Sequence, residues 1–361
     1  MISPPFGRNF LPGPTDVHPE VLAAQAQPMF GHRGRRMREI FSSIQPGLQE
    51  AFGTAQPVFI ATCSGTGLLE AAVRSGVRRR MLVAVGGFFG EYLARIGESC
   101  GKEVIRVHVH PGQAITPDQL DQFLDGPEVD AVAVVHSETS TGALADIPAL
   151  ARVAHSRKDL LLIVDGVSSV GALPIEVDSW GVDYLCTGSQ KAFAVPPGLA
   201  FGVASDRFLA RAEAQRDPGY YLSVPRMVTT ARENLPWWTP AVSLILALEC
   251  QVRRISAGGG WPARWERHRR MRDLMDRWIE GQRHLRLLTP GDSARSPSVS
   301  AVVLPERLPP ARVIEALEQD GWLVGGPLDP RHGSVIRIGH MGDLTPEHLA
   351  ALLDHLTGVL A

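Results

Sequence analysis

The sequence predicts an α/β fold: a large domain on a mainly parallel mixed sheet flanked by helices, then a smaller α+β domain. Three observations carry this. Short apolar runs alternate with amphipathic stretches from about residue 57 to residue 205. Several of those runs are apolar almost throughout, as strands buried on both faces must be. From Val299 onward, strand-like runs mix with helical ones in a short space. Taken in order, Val58–Thr62, Met81–Val85, Val104–Val109, Val129–Val135, Leu160–Val164, Tyr184–Cys186 and Leu199–Val203 predict strands. Leu68–Val77 and Ile147–His155 have helical spacing between them. Residues 215–236, rich in Pro, Arg and aromatics without a period, predict an irregular linker. Pro240–Ile255 and Trp261–His284 predict helices, the second with Arg264, Arg267, Arg269, Arg270 and Arg272 as its solvated face. Two last helices are expected near Pro310–Asp320 and Pro346–Leu360. The domain expectation is an arm over 1–20, a large domain over 21–256 and a small domain over 257–361.

Composition narrows the class. With 44% hydrophobic and 20% charged residues and a net charge of −2, the chain has neither the profile of disorder nor a global field for nucleic acid or an anionic membrane. Cys63, Cys100, Cys186 and Cys250 are scattered with no CxxC pair, so neither a disulfide framework nor a metal site is expected. The Met1–Arg8 start does not read as a secretion signal, and no apolar run approaches membrane-spanning length. Cytoplasm is the expected compartment. Lysine is scarce: only Lys102, Lys158 and Lys191 occur, so a lysine-dependent mechanism has three candidates.

In parallel α/β domains ligands gather at the carboxyl ends of strands. The first run leads into Cys63-Ser-Gly-Thr-Gly67, whose glycines and following helix suit a phosphate, though a plain turn has the same signature. A dinucleotide is disfavoured, because Glu70 stands at the third glycine of GxGxxG and the next strand ends in Val85-Gly86 rather than an acid. Asp165 follows a buried run, either as a helix cap or as partner to a cationic ring nitrogen. Lys102 and Lys158 lie at polar junctions before strands, whereas Lys191 follows the strand Tyr184-Leu-Cys and the turn Thr187-Gly-Ser-Gln. There its apolar surroundings favour a depressed pKa and a nucleophilic amine. A phosphate loop, a strand-end carboxylate and an edge lysine, in this order, suit pyridoxal 5′-phosphate.

Leu11-Pro-Gly-Pro-Thr15, Gly31-His-Arg33, Ser64-Gly-Thr-Gly67, His136-Ser-Glu-Thr-Ser-Thr-Gly142, Val164-Asp-Gly-Val-Ser-Ser169, Gly188-Ser-Gln-Lys-Ala192, Pro196-Pro-Gly198 and Arg337-Ile-Gly339 run through nearly the whole chain. With them the sequence resembles the class V aminotransferases of pyridoxal-phosphate fold type I, most of all the alanine–glyoxylate and serine–glyoxylate (serine–pyruvate) enzymes. The resemblance implies that Lys191 holds the cofactor as a Schiff base and moves the substrate α-proton, and that Asp165 pairs with the ring nitrogen. It implies Thr139 on the ring hydroxyl, Phe89 stacked on the ring and Val167 beside it, and Ser64, Gly65, Thr66, Gly67, Leu68 and Gln190 about the phosphate. It implies Arg337 as the fork for the substrate α-carboxylate; Gly13 either approaches the substrate or merely bends the chain. Phe89 and Leu68 depart from the Trp and His common among such relatives. A homodimer with shared active sites is implied too, with Thr239 reaching the neighbouring phosphate. Trp237 and Trp238 read as core, interface or substrate wall, His136 as a hydrogen-bonded structural histidine, and Arg33, Arg35 and Arg36 as a helix start or a greeting for acidic substrates.

The expected reaction is ping-pong transfer of an amino group from alanine, serine or a similar amino acid to glyoxylate or pyruvate. The alternative is a 2-aminoethylphosphonate–pyruvate transaminase or another fold type I activity. Cysteine desulfuration is disfavoured because no cysteine follows Cys250, and a non-catalytic binding role is disfavoured by intact Lys191, Asp165 and Arg337.

Overall fold

The computed structural model describes residues 5–215, 219–289, 295–329 and 333–360; the reading of residues 1–4 and the 216–218 part of the expected linker lie outside them. All seven expected runs from Val58 to Val203 become strands of one seven-stranded sheet. Its order is Phe59–Ala61, Ala200–Ala204, Tyr184–Gly188, Leu161–Asp165, Ala131–Val135, Arg80–Val85 and Glu103–His108. Ala200–Ala204 is antiparallel to both neighbours, and the other pairings are parallel. Alternation of side chains divides the sheet between two cores. Leu82, Ala84, Val132, Val134, Leu162 and Val164 meet the helices Arg35–Phe52, Ile147–His155 and Val242–Ala257. Met81, Val83, Ala131, Ala133, Leu161 and Ile163 meet Gly65–Gly76, Phe88–Ser99 and Asp206–Ala214.

Beyond this sheet lies a three-stranded antiparallel one of Arg286–Leu287, Val299–Val303 and Val335–Gly339, covered by Pro310–Gln319 and Pro346–Leu360. The N-terminal strand Asn9–Phe10 pairs in parallel with Leu323–Val324, and Phe10 is buried in this same core. The helix Gly260–Glu280 joins the two regions, with Trp261 in the first core and Met271 and Met275 in the third.

Two expectations need correction. The stretch 215–236 contains a helix, Val224–Arg232, with Pro225 in its first turn and Val224, Met227, Val228 and Ala231 buried at helical spacing. The intervening Pro, Arg and Thr residues hide that spacing in the sequence. Arg264 is not part of a solvated face either. It is buried, donates to Ala192 O from Nε (2.9 Å) and Nη2 (2.6 Å), and pairs with Asp343 at 2.6 Å. Arg269 and Arg270 are exposed and pair with Glu266 as an outer face should.

Candidate active site

The parallel strands deliver their carboxyl ends to one cavity of about 360 Å³. Gly13, Ser64, Gly65, Thr66, Phe89, Thr139, Asp165, Val167, Gln190 and Lys191 all line it. Gly67, Leu68, Arg337 and Thr239 do not line it. Leu68 has no exposed surface, and its side chain lies in the core while its carbonyl accepts the Tyr184 hydroxyl at 2.9 Å. Thr239 faces His32 at 3.3 Å. Trp237 and Trp238 are half-buried against the second core, Trp238 stacked on Tyr221 and Trp237 tilted against Tyr220.

At one wall the helix Gly65–Gly76 begins three residues earlier than its apolar period suggests, so the glycine loop is its first turn. Ser64, its N-cap, makes no side-chain cap bond, and the positive end of the helix dipole faces the cavity through Gly65 and Thr66. Gln190 adds a buried Oε1 with no hydrogen-bond partner. Asp165 ends its strand, and its Oδ1 accepts from Val167 N at 2.9 Å. Burial is the main cause that pushes its pKa up to about 6; the Val167 bond opposes it, Glu138 adds to it and Lys191 opposes it.

Lys191 lies in the turn between Tyr184–Gly188 and Ala200–Ala204. Burial lowers its pKa to about 8, assisted by Arg337 and opposed by Asp165 and Glu138. Its Nζ donates to the carbonyl of Pro12 and lies 6.0 Å from the centre of the Phe89 ring. The N-terminal segment is fastened across this turn: Thr15 N donates to Gln190 O at 3.0 Å and Thr15 Oγ1 to Lys191 O at 3.1 Å. Gly13 sits at φ +102°, and a Cβ there would meet Lys191 Cδ at 2.7 Å and Nζ at 2.8 Å. Only glycine lets the chain pass so close to the amine. Arg264, through Ala192 O, holds the residue after Lys191 from the opposite side.

Arg337 lies just outside the cavity lining. Its Nε donates to Gly326 O at 2.7 Å, and burial lowers its pKa to about 10, with Glu138 opposing. Its Nη atoms make no hydrogen bond among the described residues. His136 is buried with its ring edge-on to Trp180 at 5.8 Å, but its Nδ1 has no hydrogen-bond partner. It is therefore a packed histidine rather than the hydrogen-bonded one expected, and burial lowers its pKa to about 3. Arg35 and Arg36 open the helix Arg35–Phe52, paired with Glu39 and laid over the Phe30 ring. Arg33 is exposed before it.

Residue patterns did not single out several side chains of the site. Ser137, Ser168, Leu69 and Tyr92 line the cavity, and Thr139 Oγ1 meets Ser168 Oγ at 2.6 Å. Glu138 lies behind Phe89 and accepts from its backbone N–H. Ser137, Glu138 and Ser168 stand inside strings that carry the family resemblance but had no role of their own there, and Leu69 and Tyr92 lie outside those strings; their meeting in space gives them one. The cavity's residues fit pyridoxal phosphate: backbone donors at a helix start for a phosphate, a buried carboxylate for a pyridinium, an amine with a lowered pKa for an aldehyde.

The class-V aminotransferase family model matches residues 22–325. A Synechococcus protein named soluble hydrogenase, small subunit, is 32% identical over 359 residues, 97% of this chain and 92% of its own length. The L-aspartate–glyoxylate aminotransferase of Paracoccus denitrificans is 33% identical over 348 residues, 93% of this chain and 86% of its own. Among solved structures, an alanine–glyoxylate aminotransferase from Nostoc has a TM-score of 0.92 at 27% identity, covering 100% of this chain and 96% of its own. The matched span takes in every cavity residue from Ser64 to Pro197, including the buried amine and carboxylate that transamination needs. This chain belongs to the class-V aminotransferases, and is a pyridoxal-phosphate-dependent transaminase.

Proposed function

We propose that this enzyme transfers the amino group of a small amino acid, such as alanine or serine, to glyoxylate or pyruvate. The observation that carries the reading is the pairing of Lys191 and Asp165 in one cavity, each buried and each shifted from its ordinary pKa. Glyoxylate is common to the names of the Paracoccus and Nostoc relatives, while their donors differ. When bound, pyridoxal phosphate supplies an aldehyde that takes the amino group and a protonated ring that disperses the electrons of the broken Cα–H bond. Lys191 Nζ, its pKa lowered to about 8, sheds its proton far more readily than an exposed lysine; once neutral it would act first as a nucleophile and then as carrier of the proton from the substrate α-carbon. Asp165 keeps the ring nitrogen protonated, and its raised pKa falls again beside that cation. Phe89 and Val167 would flank the ring, Thr139 would meet its hydroxyl, and Ser64, Gly65, Thr66 and Gln190 would hold the phosphate with Gly67 and Leu68 behind them. Arg337 offers its free Nη pair to the α-carboxylate, and Gly13 leaves room for the substrate beside the amine.

A homodimer in the cytoplasm completes the proposal, with Thr239 near the partner's phosphate. The support is an exposed aromatic surface close by: Tyr220 is 72% exposed and Tyr221 49%. No helix among the described residues is long and apolar enough to cross a membrane, and among them no three His, Cys, Asp or Glu side chains form a group able to hold a metal. A screen of alanine, serine, aspartate and 2-aminoethylphosphonate against glyoxylate and pyruvate tests the assignment. Alanine or serine with glyoxylate should be the faster pairs; a faster phosphonate amine, which has no α-carboxylate for Arg337, would replace this reading.

A further inference from the structure

The helix Phe88–Ser99 carries Phe89 into the cavity, yet its N-cap, Gly87, has no side chain to satisfy the first amides. Those amides are met from another segment. Phe88 N donates to Ser140 Oγ at 2.9 Å, Phe89 N to the Glu138 carboxylate at 3.1 Å and Gly90 N to the same group at 3.0 Å. Ser140 closes the ring, donating to Glu138 from N at 3.1 Å and from Oγ at 2.6 Å. Glu138 is 4% exposed, so its charge is held by these donors and by the positive end of the helix rather than by water. Gly87 shows how tightly the parts fit: a Cβ there would lie 2.4 Å from Ser140 Oγ and 2.7 Å from Glu138 Cδ.

The arrangement has a geometric consequence. Thr139 stands between the two residues that grip the helix, and its own hydroxyl meets Ser168 at 2.6 Å. One buried carboxylate therefore ties the aromatic wall of the cavity, Phe89, to the hydroxyl on a different segment, Thr139. We propose that Glu138 is a positioning residue, whose carboxylate sets the orientation of Phe89 and Thr139 toward the ring of the bound cofactor. The inference rests on the reading of the cavity as a pyridoxal-phosphate site. Glu138 touches no reacting atom; it acts through the backbone of Phe89 and through the turn that bears Thr139. Its negative charge also favours the protonated form of Lys191, opposing the burial of that amine.

The test uses the full chain titrated with pyridoxal phosphate and then reduced with borohydride. If the wild-type chain takes up no cofactor at Lys191, the functional reading fails before this one is reached. Given uptake, Glu138→Gln keeps the size of the side chain but has one acceptor oxygen for donors on two sides. It should still be trapped at Lys191, while the Kd for pyridoxal phosphate rises about tenfold, the equivalent of one or two lost hydrogen bonds. The induced circular dichroism of the bound cofactor should fall by about half or more, because ring placement is what that signal reads. Gly87→Ala, which presses on Glu138 from the other side, should shift both readouts in the same direction. Added to Phe89→Leu, Glu138→Gln should raise the Kd clearly less than its tenfold effect alone, since only the part that acts through Thr139 remains. A merely structural role would lower Tm and leave the Kd and dichroism of the folded fraction unchanged. That result in Glu138→Gln, or effects that multiply fully with Phe89→Leu, would overturn the proposal.

Discussion

An amine held ready for chemistry is a burden on the unliganded fold, and Lys191 shows how large that burden is. Its pKa falls from an ordinary 10.5 to about 8, chiefly through burial. The folded state therefore binds the Lys191 proton less tightly than the unfolded chain does. The associated destabilisation is complete below pH 8 and disappears as pH rises past 10.5, because between the two values only the unfolded chain remains protonated. At about 1.4 kcal/mol per pKa unit, the cost at pH 7 is about 3 kcal/mol. Lys191→Met fills the same space without charge and removes it. It also removes the bond from Nζ to Pro12 O, an offset of about 1 kcal/mol or somewhat more. Cofactor-free Lys191→Met should thus be more stable than cofactor-free wild type at pH 7 by about 2 kcal/mol. Its advantage should shrink by about 2 kcal/mol between pH 7 and pH 9.5, where most of the titration has occurred. Urea unfolding of both proteins at equal concentration, free of cofactor, measures the two differences. A stability difference that stays constant from pH 7 to pH 9.5 would refute the reasoning, because the two proteins share every other titrating group and differ only in the buried amine.

Borohydride reduction of the cofactor-loaded chain should leave the pyridoxyl group in the peptide of Lys191, and recovery on exposed Lys158 or on Lys102 would contradict the site. Asp165→Ala should weaken cofactor binding and lower turnover by at least about two orders of magnitude, since a ring without its carboxylate is a poor electron sink; near-normal turnover would return Asp165 to a helix cap. Arg337→Lys should raise the KM for glyoxylate and for the amino donor together while cofactor uptake is unchanged, because a lysine cannot present two parallel donors. Lost stability with unchanged KM would instead make Arg337 a fastening for Gly326.

The two carboxyl-end residues at the heart of the site were legible before folding for a simple reason. In a parallel sheet, chain direction alone assigns strand ends to one edge, so Asp165 after Leu161–Val164 and Lys191 after Tyr184–Gly188 had to arrive on the same side. The near-continuous apolar runs likewise could become little other than strands covered on both faces. Whatever depends on one segment meeting another was hidden. Arg264 stands in a run of arginines that reads as surface, and only the packing of Gly260–Glu280 over the Lys191 turn makes it a buried ligand of Ala192 O. Val224–Arg232 kept its helical spacing, but prolines and arginines masked it until the second core showed which side it buries. Gly13 is near the start of the chain, and its contact with Lys191 follows from the pairing of Asn9–Phe10 with Leu323–Val324, a match of short strands that no local pattern announces. Glu138 is the clearest case. Read along the chain it is one acid in a string that carries the family resemblance, with no role of its own, and only the empty cap at Gly87 of a distant helix gives that carboxylate something to hold. Periodicity and strand direction are properties of neighbours in sequence, so the sequence by itself determined the sheet, the flanking helices and the side on which the amine and the acid meet. Hydrogen bonds between segments far apart in sequence depend on the packed arrangement, so tertiary structure alone decided which groups hold those two in place.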